Sequence, residues 1–258
     1  MATTALVTGA TAGIGLSFAR RLAADGHDLV LVARDAGRLA TVADELSTAY
    51  GREVEVISAD LAERGQLQRV ADRLADPTRP VEMLVNNAGF GLDARFVGSP
   101  LADEERLLDV LCRAVLVLSH AAAGPMKERG SGAIINVSSV SGFVAMGTYS
   151  AAKAWCTAFS EGLASELAAS GVTVTALCPG FVRTEFHQRA GMNMSRLPGA
   201  AWLDSDDVVH ACLLDVQRGR VVSVPSATYK ATVAVTRHAP RSLVRRVSWA
   251  ISAGRSGR

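Results

Sequence analysis

The stretch TALVTGATAGIG, residues 4–15, decides the reading of the chain. TALVT (4–8) is a short β-rich run of the kind buried on both faces of a sheet. It runs straight into TGATAGIG (8–15), where Gly9, Gly13 and Gly15 let the backbone turn tightly and approach a ligand where a Cβ would collide. An amphipathic stretch from Ile14 to Asp25 follows. A helix starting at the turn aims its free N–H groups and positive dipole end at whatever the turn holds, which suits a pyrophosphate. The spacing is GxxxGxG, not the GxGxxG of the common dinucleotide fingerprint, and such turns also serve only to pack a helix on a strand. Context favours the nucleotide: strand before, helix after, at the start of a βαβ chain.

Outward from this turn the alternation continues. DLVLVA (28–33), EVEVIS (53–58), VEMLVNN (81–87), GAIINVS (132–138), VTVTALC (172–178) and RVVSV (220–224) read as strands. Helical patterns cover 36–50, 63–75, about 101–123 and 148–169, and Gly26, Gly51 and Gly171 stand where helices should stop. Apolar strands alternating with helices predict an α/β fold: one doubly wound domain, its parallel sheet covered by helices on both faces.

Composition sets the outer limits. The chain has 258 residues, 49% hydrophobic and 20% charged, which is a globular balance, and a net charge of +2 gives no reason to invoke nucleic acid. Cys112, Cys156, Cys178 and Cys212 are scattered, with no CxxC pair and no His at ligand spacing. They read as reduced, mostly buried thiols of a cytoplasmic protein, with neither a disulfide framework nor a metal site. No basic leader and no run of 18 apolar residues is present, so neither export nor a membrane span is expected.

The second strand bears on which nucleotide is bound. A carboxylate at its end would accept the ribose hydroxyl of NAD(H), and a basic residue would meet the 2′-phosphate of NADP(H). Here the strand ends at Ala33 and Arg34 follows, before Asp35. An arginine–phosphate contact is charge-assisted and bidentate, so NADP is the expectation. The alternatives are NAD(H), with Arg34 no more than a solvated surface residue.

Tyr149 and Lys153 stand i, i+4 on a predicted helix and project from one face. A free phenol titrates near ~10, and bringing it to ~7 needs about 4 kcal/mol of preference for the phenolate. An ammonium ~5 Å away supplies roughly 3 kcal/mol at an effective dielectric of ~20. A YxxxK pair alone is common by chance. Here NNAG (86–89), NVSS (136–139), YSAAK (149–153) and PGFVRT (179–184) follow the glycine turn in order. Together they resemble the single-domain branch of the short-chain dehydrogenase/reductase family, over about residues 3 to 225.

The resemblance implies a Rossmann-type oxidoreductase that moves a hydride between a nicotinamide and a carbonyl/alcohol substrate, working as a homodimer or homotetramer. Tyr149 would be the general acid or base. Lys153 would lower its pKa and hold the nicotinamide ribose. Ser139 would bond the substrate oxygen, with Ser138 as the alternative. Gly9, Thr11, Gly13, Ile14 and Gly15 would cradle the pyrophosphate, and Asp60 and Leu61 would border the adenine. Asn87, Ala88 and Gly89 would line the adenosine side. Pro179, Gly180, Val182 and Thr184 would line the nicotinamide side, Val182 and Thr184 meeting its carboxamide.

Two features depart from the family. Leu111 stands where the family carries an asparagine that extends the proton relay, which raises a rival reading: a catalytically weak NADP-binding regulatory protein on the same fold. Ser139 and Tyr149 are also ten positions apart, about three fewer than is usual. The domain over 1–225 would include a substrate lid at about 185–204, where Phe186, Met192, Met194, Leu197 and Trp202 suit an apolar pocket or else pack on the body. The basic extension over 226–258 holds Arg237, Arg241, Arg245, Arg246, Arg255 and Arg258. Around 241–252 it interleaves arginines with Leu243, Val244, Val247, Trp249 and Ile251. That pattern allows an interfacial membrane helix, although a frayed or docked terminus is the commoner fate.

Overall fold

The computed structural model describes residues 3–92, 96–186, 191, 198–240 and 242–246. Seven strands form one parallel sheet: β1 (Thr4–Thr8), β2 (Asp28–Ala33), β3 (Val54–Ser58), β4 (Val81–Asn86), β5 (Gly132–Val137), β6 (Val172–Leu177) and β9 (Val222–Ser223). Their order is β3-β2-β1-β4-β5-β6-β9. A second, two-stranded parallel pair joins β7 (Phe181–Val182) to β8 (Trp202–Leu203). The helices are α1 (Gly13–Ala24), α2 (Ala36–Tyr50), α3 (Arg64–Ala75), α4 (Leu101–Leu108), α5 (Ala114–Arg129), α6 (Gly147–Glu166), α7 (Ser205–Gln217) and α8 (Ala227–His238).

The alternation of β1 shows why the sheet takes two layers of helices. Ala5 and Val7 point into a core with Phe18 of α1, Leu39 and Leu46 of α2, and Val209 and Cys212 of α7. Leu6 points the other way, to Val70 of α3 and Leu118 and Met126 of α5. Each such fully buried large side chain contributes roughly 1.5–3 kcal/mol. The helix ends follow from local chemistry. Asp35 caps α2 by accepting the Arg38 amide at 3.0 Å, and Gly51 ends it at φ 63°, the left-handed position expected of that glycine.

The segment read as one helix over 101–123 runs on to Arg129 and changes pitch inside. Residues Asp109–Arg113 form a π turn between α4 and α5, with Leu111 at its centre. By length and composition, Leu101–Arg129 is apolar enough to cross a membrane. It is a core helix instead, with Leu107, Leu111, Leu118, Ala122 and Met126 buried against the protein. Residues 227–238 form α8, whose Val233 is buried with Ala176, Cys178 and Val224. Arg237 of this helix bonds Glu161 of α6 at 2.6 Å and lies over the Phe143 ring. Val244 is buried and Arg245 and Arg246 are exposed; Arg241, Val247, Trp249, Ile251, Arg255 and Arg258 lie outside the described residues.

Candidate active site

In a parallel sheet every strand delivers its following loop to the same edge, and the strand order reverses between β2-β1 and β4-β5. A crevice opens there. The glycine turn follows β1, Arg34 follows β2, Asp60 follows β3, Asn87–Gly89 follow β4, Ser139 follows β5 and Pro179–Thr184 follow β6. The fold therefore gathers all the sequence-expected residues along one edge. Arg34 and Asp60 end up on the far side of the turn from Tyr149.

The glycine turn has no room for side chains at its glycines, and the start of α1, which no side chain caps, leaves N–H groups free for a pyrophosphate. A Cβ on Gly15 would lie 2.2 Å from the Gly9 carbonyl oxygen, and one on Gly9 would lie 2.9 Å from Asn87 Nδ2. Gly9 (φ 66°) and Gly13 (φ 52°) also hold backbone angles that disfavour side chains. Thr11 is buried within the turn, and Ile14 packs its side chain against the core. Asn87 braces the turn from below: its Nδ2 donates to the carbonyls of Thr8 and Gly9, at 2.9 and 3.2 Å. The Asn87 and Ala88 amides both donate to Thr8 Oγ1. Thr184 lies directly over Gly13, its methyl 2.9 Å from where a Cβ would stand. Val182 is buried, and Pro179 accepts the Val140 amide at 3.0 Å.

On the adenosine side, Asp60 accepts the Ala62 amide on one carboxylate oxygen and Arg106 on the other. Its carboxyl is held below the ordinary range: burial opposes the shift, but the Arg106 and Ala62 bonds outweigh it. Leu61 is buried among Leu67, Val70 and Leu74, so a ligand there would meet its backbone only. Arg34 is exposed, and its guanidinium bonds no carboxylate among the described residues.

At the other end the two serines part company. Ser138 is spent on structure: its hydroxyl donates to the Lys153 carbonyl and pairs with Thr157, both at 2.7 Å. Ser139 is bonded to Ser141 and stands close enough to Tyr149 for its hydroxyl to favour the phenolate. The short loop between them closes by a 3-10 turn over Val140–Phe143. It seats Gly142 so tightly on α6 that a Cβ there would stand 2.9 Å from the Lys153 carbonyl carbon. Lys153 is buried beneath, Nζ donating to the Val137 carbonyl at 2.7 Å and lying 5.7 Å from the Tyr149 ring centre.

The electrostatics correct one expectation. The ammonium was expected to pull the phenol pKa down. In the structure burial pushes Tyr149 well above its ordinary value, partly offset by the Ser139 bond, and the same burial pushes Lys153 below its own. The Coulomb estimate set a full ammonium in a polarizable medium. A low-dielectric pocket disfavours both charged forms, and burial is the largest cause for each.

Leu111 fills the space beside this pair. A Cβ on Gly89 would lie 2.8 Å from Leu111 Cδ2 and 3.9 Å from Lys153 Nζ, so hydrocarbon and ammonium flank the same point. Leu107, Leu111 and Ala152 form an apolar cluster with Phe90, Leu92, Cys112 and Tyr149 packed against it. The Phe186 ring lies 5.9 Å from that of Tyr149, on the open side. Trp202 packs on Phe181 and under Arg183. Met192, Met194 and Leu197 lie outside the described residues. Three of the four thiols are buried and Cys112 is partly so, and no His/Cys/Asp/Glu cluster among the described residues is suited to a metal.

Sequence reading missed Tyr229 of α8. Its ring lies flat on Gly180, where a Cβ would be 2.1 Å from ring carbons. Its hydroxyl accepts the Phe181 amide at 3.3 Å and donates to the Ala201 carbonyl at 2.8 Å. It also missed Arg106 and the Arg38–Glu185 pair. None of these belongs to a local motif; each partner is brought in from a distant part of the chain.

Comparison with known proteins agrees with this geometry. Residues 3–194 match the short chain dehydrogenase family. A short-chain dehydrogenase from Sphingobium yanoikuyae, solved in complex with NADPH, is 37% identical, with a TM-score of 0.85 over 93% of this chain and 94% of that one. A bulky-bulky ketone specific alcohol dehydrogenase from Comamonas testosteroni is 34% identical, with a TM-score of 0.80 over 91% of this chain and 92% of that one. D-beta-hydroxybutyrate dehydrogenase from Rhizobium meliloti is 32% identical over 84% of each chain. With the motifs in order on one sheet edge and this likeness running through most of its length, the chain belongs to the short-chain dehydrogenase/reductase family, NAD(P)-dependent oxidoreductases of alcohol and ketone substrates.

Proposed function

We propose that this chain is an NADP-preferring carbonyl reductase or alcohol dehydrogenase acting in the cytoplasm on a medium-sized, mainly apolar substrate, with Ser139, Tyr149 and Lys153 as its catalytic residues. The observation that carries the reading is the gathering of Ser139, the Tyr149 phenol and a buried Lys153 at one place, beside a turn with no room for side chains at its glycines. When bound, the nicotinamide supplies or takes up the hydride at the substrate carbon. Ser139 bonds the substrate oxygen. Tyr149 holds at its Oη the proton that this oxygen gains on reduction, and accepts it back on oxidation. Its raised pKa keeps that proton in place until the substrate oxygen arrives.

Lys153 Nζ holds the ribose and lends positive charge when the phenolate forms. Gly9, Thr11, Gly13, Ile14 and Gly15 hold the pyrophosphate at the start of α1. Asp60, Leu61, Asn87, Ala88 and Gly89 border the adenosine, while Pro179 and Gly180 line the nicotinamide side and Val182 and Thr184 hold the carboxamide. Arg34 takes the 2′-phosphate with a guanidinium that bonds no carboxylate among the described residues. Phe90, Leu92, Leu111, Cys112 and Phe186 give the substrate an apolar wall. The exposed Leu101, Leu108 and Leu116 of α4 and α5 suit burial against a second copy in a homodimer or homotetramer.

The test is a pair of titrations of purified protein, NADPH against NADH, followed by bulky apolar ketones with NADPH. Tight NADPH, NADH weaker by about tenfold or more, and ketone-dependent NADPH consumption are expected. Tyr149→Phe should lower turnover by about 10²–10⁴-fold and leave NADPH binding intact. Failure to bind either cofactor would sink the reading at its base. A second reading, a weakly catalytic NADP-binding regulator, draws on Leu111 lying where a polar relay group would serve the lysine.

A further inference from the structure

Glu185 follows Thr184, the residue that lies over the glycine turn. Its carboxylate meets Arg38 fork to fork: Arg38 Nη2 to Oε1 at 2.8 Å and Nη1 to Oε2 at 3.3 Å, across 147 residues. Arg38 stands in the first turn of α2, four residues after Arg34, with its amide on Asp35. Because its guanidinium reaches a residue adjoining Thr184, it faces the nucleotide crevice and not the outer face of α2. The end of β2 thus carries two guanidiniums with different commitments. Arg34 bonds no carboxylate among the described residues, since Asp60 is taken by Arg106. Arg38 already holds an anion supplied by the segment that crosses the turn.

We propose that Glu185 is an internal competitor for a ribose 2′-phosphate at Arg38, so that the Arg38–Glu185 pair tunes how strongly the site distinguishes a phosphorylated ribose from a plain one. The inference rests on the reading of Arg34 as a phosphate ligand. The chemistry is an exchange of anions on one guanidinium. A phosphate carries more charge than a carboxylate and presents the same bidentate face. The resident pair is more than a third exposed on both sides, which makes it weak enough to be displaced. The other acidic group acting on Arg38 is Asp35, whose carboxylate is used by the Arg38 amide. A ribose bearing a hydroxyl leaves the pair closed, and a ribose bearing a phosphate opens it. Binding of the phosphorylated nucleotide therefore breaks the Arg38–Glu185 contact between α2 and the segment after β7.

Calorimetric titration with adenosine 2′,5′-bisphosphate and with adenosine 5′-monophosphate tests this without any turnover. Glu185→Gln keeps the size and removes the charge. It should tighten the bisphosphate by about two- to fivefold, the worth of an exposed ion pair, and leave the monophosphate unchanged. In an Arg38→Ala background the same substitution should do nothing to either. Equal shifts for both nucleotides, or none for the bisphosphate, would overturn the proposal. Arg34→Ala separates it from its premise. If that variant binds bisphosphate as well as the parent, the phosphate reading of Arg34 fails, whereas the selectivity of Glu185→Gln still decides the role of the pair.

Discussion

Lys153 and Tyr149 spend the folded state in surroundings that favour their uncharged forms, and pH reads this out. Burial holds the Lys153 pKa below its ordinary 10.5. The unfolded chain therefore binds that proton more tightly, so stability rises with pH up to 10.5 and is lost as pH falls through the window below it. The phenol has the opposite sign: its pKa is raised, so stability is full below its ordinary 10.0 and is lost as pH climbs past it. Lys153→Met removes the first effect only. Thermal melts at a series of pH values should show the variant gaining on the parent at neutral pH and losing that lead as pH nears ~10. A constant offset at all pH values would count against a buried ammonium. The types and spacing of these residues were legible in the sequence. The direction of the phenol shift was not, because it depends on the depth of the pocket, and that is set by Phe186, Leu111 and other residues far along the chain.

At the scale of elements, the π turn at Asp109–Arg113 decides what Leu111 can do. A π turn adds a residue to the helix and rotates the side chains that follow; such turns are frequent at functional sites. Here it sets Leu111 against Gly89 and Lys153, and two arginines from the same segment, Arg106 and Arg113, bond Asp60 and the Ala62 carbonyl. The adenine-side loop and the lysine pocket therefore share one support. Leu111→Asn places a polar group in this apolar space. We expect turnover to rise by about tenfold, part of the 10²–10⁴ that proton transfer supplies, while stability falls by about 1–3 kcal/mol for the buried amide. Unchanged turnover would mean that protons reach Tyr149 without Leu111 standing in their way. Periodicity revealed a long helix in this region but not its change of pitch, since one inserted residue leaves an apolar pattern looking continuous.

For the whole molecule, the doubly wound parallel sheet was foreseeable because glycine turns, β-rich runs and helix caps are local signals that all point to one architecture. What closes the site is not local. Tyr229 ties the α8 helix to Gly180, to Phe181 and, through Ala201, to the residues before β8. The limit at residue 225 is the extent of the family resemblance, whereas the packing of α8 carries on across it. Tyr229→Ala should leave the thermal transition of the sheet within about 1–2 °C and lower NADPH affinity and turnover together. A chain ending at residue 225 should behave likewise, more severely, as measured by circular dichroism and cofactor titration. Full binding by the shortened chain would assign α8 a role elsewhere.

The Tyr229–Gly180 contact also orders events during synthesis. Chains emerge from the ribosome amino-terminus first, and domains begin to fold as they do so. Strands β1 to β6 and their helices are complete long before residue 229 appears. A nascent chain can thus bury most of its core while the turn after β6 still lacks the ring that presses on it. The Tyr229 contact on Gly180 can form only once α8 has emerged, so a half-made protein would have the shape of the fold without this closure.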